Sequence, residues 1–172
     1  MKNTMRLLVL VAFVLAAMGV SAQSPVKLGH IETEKLIKAM PEMTTAEKTL
    51  QAKQDEVVKE MTNLREQFQK LVADYTQNSK TFSDAIRASK EQEIQQLQQR
   101  IQNFEEVATN ELQKAKNELM QPIMDKALNA IKEVGKENSF TYIFDLSSGV
   151  LLFTAENSQD ILPLVKAKLG LQ

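Results

Sequence analysis

Apolar residues recur at coiled-coil spacing along residues 42–138, a stretch with no glycine before Gly135 and a single proline, Pro122. Spacings that alternate between four and three residues place side chains on one seam of an α-helix. The first half of this seam consists of Met43, Leu50, Val57, Met61, Leu64, Phe68, Leu71 and Tyr75. The second half consists of Ile94, Leu97, Ile101, Phe104, Ala108, Leu112, Ala115, Leu119, Ile123 and Ala127.

Turn-forming and helix-capping residues at 76–83 separate the two halves of the seam. The pattern therefore predicts a long antiparallel α-hairpin over residues 42–138, a coiled-coil arm of roughly 50 Å with its tip near 76–83. Ala108 to Leu119 is an eleven-residue step, which predicts a relaxed supercoil there. Four polar residues interrupt the seam and favour splayed helices over a rigid rod. They are Glu47, Gln54, Glu111 and Glu118.

Proline positions predict where these helices begin and bend. Residues 26–31 alternate as a short strand, residues 32–40 form a short helix, and Pro41 breaks that helix or serves as the first residue of the next one. Pro122 removes a backbone donor from the returning helix, so we expect a kink or break and a hinge near residues 120–121.

The pattern changes to period two after Gly135. Residues 140–146 and 150–154 predict a β-hairpin whose turn is residues 147–149. Asn157 or Ser158 then caps a last helix that Gly170 closes. The shared apolar face of this helix comprises Ile161, Leu164, Val165 and Leu169.

The sequence thus predicts a mainly α, α+β protein whose arm is inserted in a small β-rich body made of residues 23–41 and 139–172. Three short strands make a poor sheet alone, and the second is almost wholly apolar, which suggests cover on both faces. We therefore expect subunits to share a β-core. The candidate residues of this oligomer core are Val26, Leu28, Tyr142, Ile143, Phe144, Leu146, Leu151 and Phe153.

Residues 1–22 have the form of a secretory signal peptide, with Lys2 and Arg6 before an apolar stretch and a cleavage site after Ala22. An uncleaved anchor helix is the alternative, although the apolar stretch is short for a bilayer. Without Lys2 and Arg6, 19 basic and 22 acidic side chains remain, so the mature chain is slightly acidic. This charge argues against nucleic acid as a partner.

The residue types offer little for catalysis. The chain has no cysteine and one histidine, His30, and no carboxylate cluster, phosphate loop or nucleophile motif stands out. We expect neither an enzyme nor a metal site nor a cofactor. The arm itself is the functional candidate, either zipped shut by its apolar residues or presenting some of them to an unfolded client. The client-binding candidates are Met61, Phe68, Tyr75, Phe82, Ile86, Ile94, Leu97, Ile101 and Phe104.

The order of these parts resembles the Skp/OmpH family of periplasmic chaperones across the whole mature chain. The resemblance rests on the leader, the opening strand and short helix, the long hairpin and the run Tyr-Ile-Phe-Asp at 142–145. Family members commonly close with Asp-Ile-Thr, whereas this chain has Asp160, Ile161 and Leu162, which we expect to alter a cap.

The resemblance implies a jellyfish-shaped homotrimer whose three arms surround a cavity. It implies a periplasmic, ATP-independent holdase that binds unfolded outer-membrane β-barrel proteins during transit. The best-known members have basic arms, whereas residues 42–138 here hold 14 Lys and Arg against 17 Asp and Glu. This balance argues against binding to a membrane surface or lipopolysaccharide. A structural coiled-coil spacer of the cell envelope is the alternative function.

Overall fold

A computed structural model describes residues 26–155 and 158–171. The predicted leader, residues 1–22, lies outside the described residues. The prediction of a mainly helical protein with a small strand body is confirmed. In chain order the elements are β1 (Leu28–Ile31), α1 (Thr33–Ala39), α2 (Pro41–Asn78), α3 (Asp84–Glu137), β2 (Tyr142–Asp145), a 3-10 turn (Leu146–Ser148), β3 (Gln159–Asp160) and α4 (Leu162–Lys168). Within the described ranges, no helix is both long and apolar enough to cross a bilayer.

The three strands form a parallel sheet in the order β2-β1-β3. The predicted β-hairpin between residues 140–146 and 150–154 is wrong, because residues 150–155 have no regular secondary structure and β3 follows later. The carboxylate of Asp145 accepts a hydrogen bond from the Ser147 amide and starts a 3-10 turn. Gly149 then adopts a left-handed φ of 68°, and the chain leaves the sheet instead of folding back along β2.

The core of the body lies between the sheet, α1, α4 and the last turns of α3. Small and branched residues spaced three or four apart on α3 let these elements approach closely. The buried cluster comprises Ile31, Leu36, Met40, Ala46, Ile123, Ala127, Ala130, Val134, Ile161 and Val165. Gly29 completes the fit, since a Cβ there would lie 2.9 Å from Phe140 Cε1 and 3.1 Å from Ile161 Cγ2.

Asp145 fastens the end of β2 to the start of α1. Its carboxylate accepts hydrogen bonds from the Thr33 hydroxyl at 2.6 Å and the Thr33 amide at 3.2 Å. The Ser147 amide donates to the same group at 2.9 Å. Burial pushes the pKa of Asp145 upward, but these hydrogen bonds outweigh burial and hold the pKa below its ordinary value.

Because the folded-state pKa of Asp145 is depressed, its ionised form stabilises the body above the ordinary carboxyl pKa of about 3.9, and this contribution is lost as pH falls through the folded value. We therefore expect Asp145→Asn to lower the free energy of unfolding at pH 6 by roughly 1–3 kcal/mol, so that the variant unfolds at a lower urea concentration. Below about pH 4 the difference from wild type should shrink. Urea unfolding at pH 6, 4 and 3 measures this. Asp125→Asn removes an exposed carboxylate and is the control; a pH-independent difference at Asp145 would contradict the assignment.

Pro41 begins α2, as predicted. A kink or break was predicted near residues 120–121; the break is wrong, because α3 continues through Pro122 from Asp84 to Glu137, and the kink stays a prediction. The neighbouring Ile123 is buried in the core, and Pro122 itself faces solvent, where water can satisfy the backbone carbonyl that loses its helical donor. A hinge at this position stays a prediction.

The last helix begins at Leu162, so the predicted cap at Ser158 is wrong, and Asn157 lies outside the described residues. The N-cap position is Ile161, which has no side-chain cap hydrogen bond, and the Oδ1 atom of Asp160 just before it accepts a hydrogen bond from the Leu162 amide at 2.8 Å. Gly170 follows the helix with a φ of 68°, as expected for a terminating glycine. Of the predicted apolar face, Ile161 and Val165 are buried and Leu169 is half-buried, whereas Leu164 is exposed. The Lys168 ammonium contacts the carboxylates of Glu133 and Glu137, at 3.1 and 2.6 Å, and ties α4 to α3.

Candidate functional site

The long helices α2 and α3 pack antiparallel as a helical hairpin. Their apolar seam lies between them, and Leu64, at its middle, is completely buried. Eight of the nine predicted client-binding residues also lie half-buried in or beside this seam. They are Met61, Phe68, Tyr75, Phe82, Ile94, Leu97, Ile101 and Phe104. In the closed hairpin these side chains therefore contribute mainly to helix packing.

Ion pairs link the two helices from base to tip. Glu42 pairs with Lys126 at the base, and the Lys126 hydrogen bond lowers the pKa of Glu42. Farther out, an Arg100 nitrogen lies 3.8 Å from a Glu60 carboxylate oxygen. These side chains are at least two-fifths exposed, so each pair contributes little to stability. They are consistent with one antiparallel alignment of the two helices.

The tip is shorter than predicted, because α2 continues to Asn78 and only residues 79–83 connect the helices. The centroids of the Tyr75 and Phe82 rings lie 6.5 Å apart across the turn. The Tyr75 hydroxyl donates a hydrogen bond to Glu91 on α3, and this bond raises the pKa of Tyr75. Ser83 caps α3 by accepting a hydrogen bond from the Ile86 amide.

Large apolar side chains also lie outside the seam, spread from the base of the hairpin to its tip. Between 43 and 58% of each is exposed. They are Val58, Ile86, Val107, Met124 and Leu128, and we call them the exposed arm residues. Of these five, only Ile86 was among the client-binding residues predicted from the sequence. Each of the other four is the immediate sequence neighbour of a seam or core residue. Such a doublet of adjacent apolar residues was the signal that could have identified them. The doublets are Val57-Val58, Val107-Ala108, Ile123-Met124 and Ala127-Leu128.

Two open grooves lie along the seam. The first, of about 220 Å³, is lined by the seam residues Val57, Phe104 and Leu112 and by Glu111, one of the four polar interruptions. A second groove of about 400 Å³ lies beside Pro122, lined by Ala46 among others. The hairpin therefore carries concave surface at its base and farther along the seam.

One face of the sheet packs against the helices of the body, and the other is open. Side chains alternate along β1 and β2, so Ile31 and Ile143 face the core. Five predicted oligomer-core residues are exposed. These are Val26, Leu28, Tyr142, Phe144 and Phe153. The first four lie on or next to β1 and β2, and we call the surface they form the open sheet face. The other three, Ile143, Leu146 and Leu151, are half-buried.

Residues 150–155 form an apolar flap beside the open sheet face. Leu152 is 94% exposed and Phe153 is 80% exposed, values unusual for large apolar side chains. A groove of about 430 Å³ separates the flap from β1 and β2. Its lining includes Leu28, His30 and Phe144, and the His30 Nδ1 atom lies 2.8 Å from the Ser158 hydroxyl.

Within residues 26–155 and 158–171, no group of three or more metal-ligating side chains comes together. Two surfaces of the described residues expose large apolar side chains: the helical hairpin with its exposed arm residues, and the open sheet face with its flap. Both present apolar groups without a deep enclosed pocket, which is suited to contact with polypeptide.

Comparison with known proteins gives a family and a fold. Residues 27–169 match the model of the family described as Outer membrane protein (OmpH-like). No curated protein matches the chain. The fold is similar to the crystal structure of a Caulobacter crescentus protein described as a candidate outer membrane chaperone (OmpH-like). That similarity has a TM-score of 0.72 and 12% sequence identity, and it covers 88% of each chain.

Proposed function

The chain belongs to the OmpH-like family of periplasmic outer membrane chaperones, and from this premise we propose that it is an ATP-independent holdase. It binds unfolded outer-membrane β-barrel proteins after their export, prevents their aggregation and releases them without chemical work. The mature protein begins at Gln23 and acts in the periplasm.

The observation that carries this proposal is the series of exposed arm residues along a hairpin more than thirty residues long on each side. A holdase must bind many sequences reversibly, which many weak apolar contacts achieve better than one specific pocket. Met124 suits this role because its side chain is flexible and polarisable. The half-buried seam residues become available where the helices separate, and the grooves beside the seam add concave surface for a client segment.

The proposed assembly is a homotrimer in which the open sheet faces of three chains close a shared core. This arrangement removes Phe144, Tyr142 and the flap from water. It also gives residues 150–155 a neighbouring strand edge to pair with, since β2 and β3 are the outer strands of the sheet. Three hairpins then surround a cavity in which the client is held.

Charge argues against lipid capture as part of this function. The hairpin is slightly acidic, and three of its 14 basic side chains, Lys90, Arg100 and Lys126, lie beside carboxylates of the opposite helix. An anionic membrane or lipopolysaccharide would therefore meet little free positive charge on these residues. Client contacts depend instead on the exposed arm residues and on local charge pairs.

The experiment uses the mature chain from Gln23, measured by light scattering with and without a urea-unfolded β-barrel membrane protein diluted into it. We expect a particle of three chains of about 17 kDa each, at ~110 Da per residue, and a soluble complex with the client. A stable trimer that leaves the client to aggregate would contradict the holdase and favour a structural spacer. A monomer would contradict the shared β-core.

A further inference from the structure

We propose that the base of the hairpin contains a docking site for an extended, uncharged apolar segment of an unfolded polypeptide, and that Pro122 creates the hydrogen-bond acceptor of this site. This inference rests on the proposed holdase function and deepens it. It names one site on the hairpin and the chemistry of the client segment that occupies it.

Pro122 is a costly residue at its position, because it lies in the interior of α3, where proline is strongly unfavourable compared with alanine. It has no N–H group, so the Glu118 carbonyl, four positions earlier, lacks its usual α-helical donor. Helical carbonyls point along the helix axis toward the fourth residue ahead, so this oxygen lies beside the Pro122 ring. Pro122 is exposed, so a donor from another chain can reach the oxygen. Residues that break a local rule in this way are expected at functional sites.

Two grooves meet at this proline. The first is the 400 Å³ groove between α2 and α3, which we call the base groove, and the buried side chains of Ala46 and Ile123 are among its lining. Its volume is at the lower end of the range of ligand sites, roughly 300–1,000 Å³, and suits one bulky apolar side chain. The second groove, of about 530 Å³, extends to Leu169, just after α4. Pro122 and Lys126 line both, so an extended segment that crosses Pro122 contacts both grooves.

The polar groups at the base groove select the kind of occupant. Lys126 donates a hydrogen bond to Glu42, so the two charges compensate each other. The Glu42 Oε2 atom is buried and has no hydrogen-bond partner among the described residues, and the Thr45 hydroxyl donates to the Pro41 carbonyl at 3.4 Å. With the Glu118 carbonyl, acceptors therefore exceed donors. A phosphate or a carboxylate adds only acceptors and fits poorly, whereas a polypeptide backbone supplies N–H donors.

In the proposed complex, an apolar client side chain packs against Ala46, Leu119 and Ile123, and a backbone N–H of the same segment donates to the Glu118 carbonyl. The hydrogen bond is independent of client sequence, since every residue except proline carries an N–H group. The apolar lining disfavours a charged side chain, which would lose its hydration there. The site therefore accepts many sequences but prefers extended apolar segments.

The test measures binding of the end-blocked, rhodamine-labelled peptide Thr-Val-Thr-Phe-Thr-Val-Thr to the assembled mature protein by fluorescence anisotropy. Pro122→Ala restores the missing N–H to α3, so we expect it to raise the unfolding temperature and yet to weaken peptide binding by about two- to tenfold. A series of probes, each N-methylated at one residue, locates the donor. Methylation of the donating residue should weaken binding to wild type by a similar factor and leave binding to Pro122→Ala unchanged.

A second pair of variants tests the position of the site. Thr45→Glu places a carboxylate in the base groove and is expected to weaken binding of the same probe by about fivefold or more. Thr49→Glu is the matched control, because Thr49 is also exposed, donates to the carbonyl four positions earlier at 2.9 Å and does not line the groove. We expect this control to bind as wild type does.

The outcomes separate this inference from the proposed holdase. Equal binding by Pro122→Ala and wild type, with no coupling to any N-methylated probe, contradicts the inference alone. The same conclusion follows if the two glutamate variants weaken binding equally, or if wild type keeps an unfolded β-barrel protein soluble but does not bind the probe. A change of mass in Pro122→Ala would show that a second copy of the chain occupies the groove instead. Wild type that leaves the β-barrel protein to aggregate contradicts the proposed function and, with it, this inference.

Discussion

Phe144→Asp is expected to convert the assembled protein into folded monomers. Phe144 is exposed in the single chain, so the substitution costs the monomer little. In the proposed trimer it places three carboxylates in one apolar core, and each buried unpaired charge costs several kcal/mol. Light scattering should therefore report the mass of one chain at concentrations where the wild type gives three, with helix content unchanged.

Ile86→Asp is the matched control, because it places the same charge on an exposed apolar position near the tip of the hairpin. We expect this variant to remain trimeric. A Phe144→Asp protein that keeps the mass of three chains would show that the open sheet face does not form the interface.

Replacing the five exposed arm residues together by serine is expected to abolish client protection while leaving the trimer intact. Each of these side chains offers about 1 kcal/mol on full burial against a client, since roughly half of each is exposed beforehand. Losing five such contacts on each of three chains should raise the chaperone concentration needed to keep a diluted β-barrel protein soluble by at least about tenfold. Turbidity against chaperone concentration measures this.

The matched control replaces five exposed glutamines of the hairpin by serine, which imposes at least as large a loss of helix propensity without removing apolar surface. Suitable positions are Gln51, Gln69, Gln95, Gln99 and Gln113. If the variant that lacks the five exposed arm residues protects the client as well as this glutamine control does, the client must contact other residues. The seam residues Phe68, Tyr75, Phe82 and Phe104 of opened hairpins would then be the next candidates.

The helical hairpin was predictable because its signal is local. The seam repeats over many turns, and Pro41 marks its start without reference to any distant residue. The tip was predicted to begin three residues too early, because Thr76 and Asn78 are turn-forming residues that can also bond within a helix. The Thr76 hydroxyl donates to the Val72 carbonyl, and the Asn78 amide donates to Asp74.

The sheet could not be predicted in the same way. Residues 140–146 and 150–154 have the composition of strands, but composition does not specify a partner. The chain leaves the sheet after β2 because of two residues. Asp145 accepts a hydrogen bond from Thr33, more than a hundred positions away, and Gly149 directs the chain away from β2. Likewise, a doublet such as Val57-Val58 shows that one residue must leave the seam, but only the packed register shows which one.

The parallel pairing of β1 with β2 has a consequence for how the chain folds. Leu28 pairs with Tyr142, so the sheet must close a loop of more than a hundred residues, which is entropically costly in a flexible chain. When the hairpin zips, it brings Glu42 beside Lys126 and shortens the effective loop to roughly fifteen residues at each end. The coiled coil is thus a prerequisite for rapid closure of the sheet. A substitution that removes the buried side chain of Leu64 would therefore delay the folding of the body, although Leu64 lies far from the body.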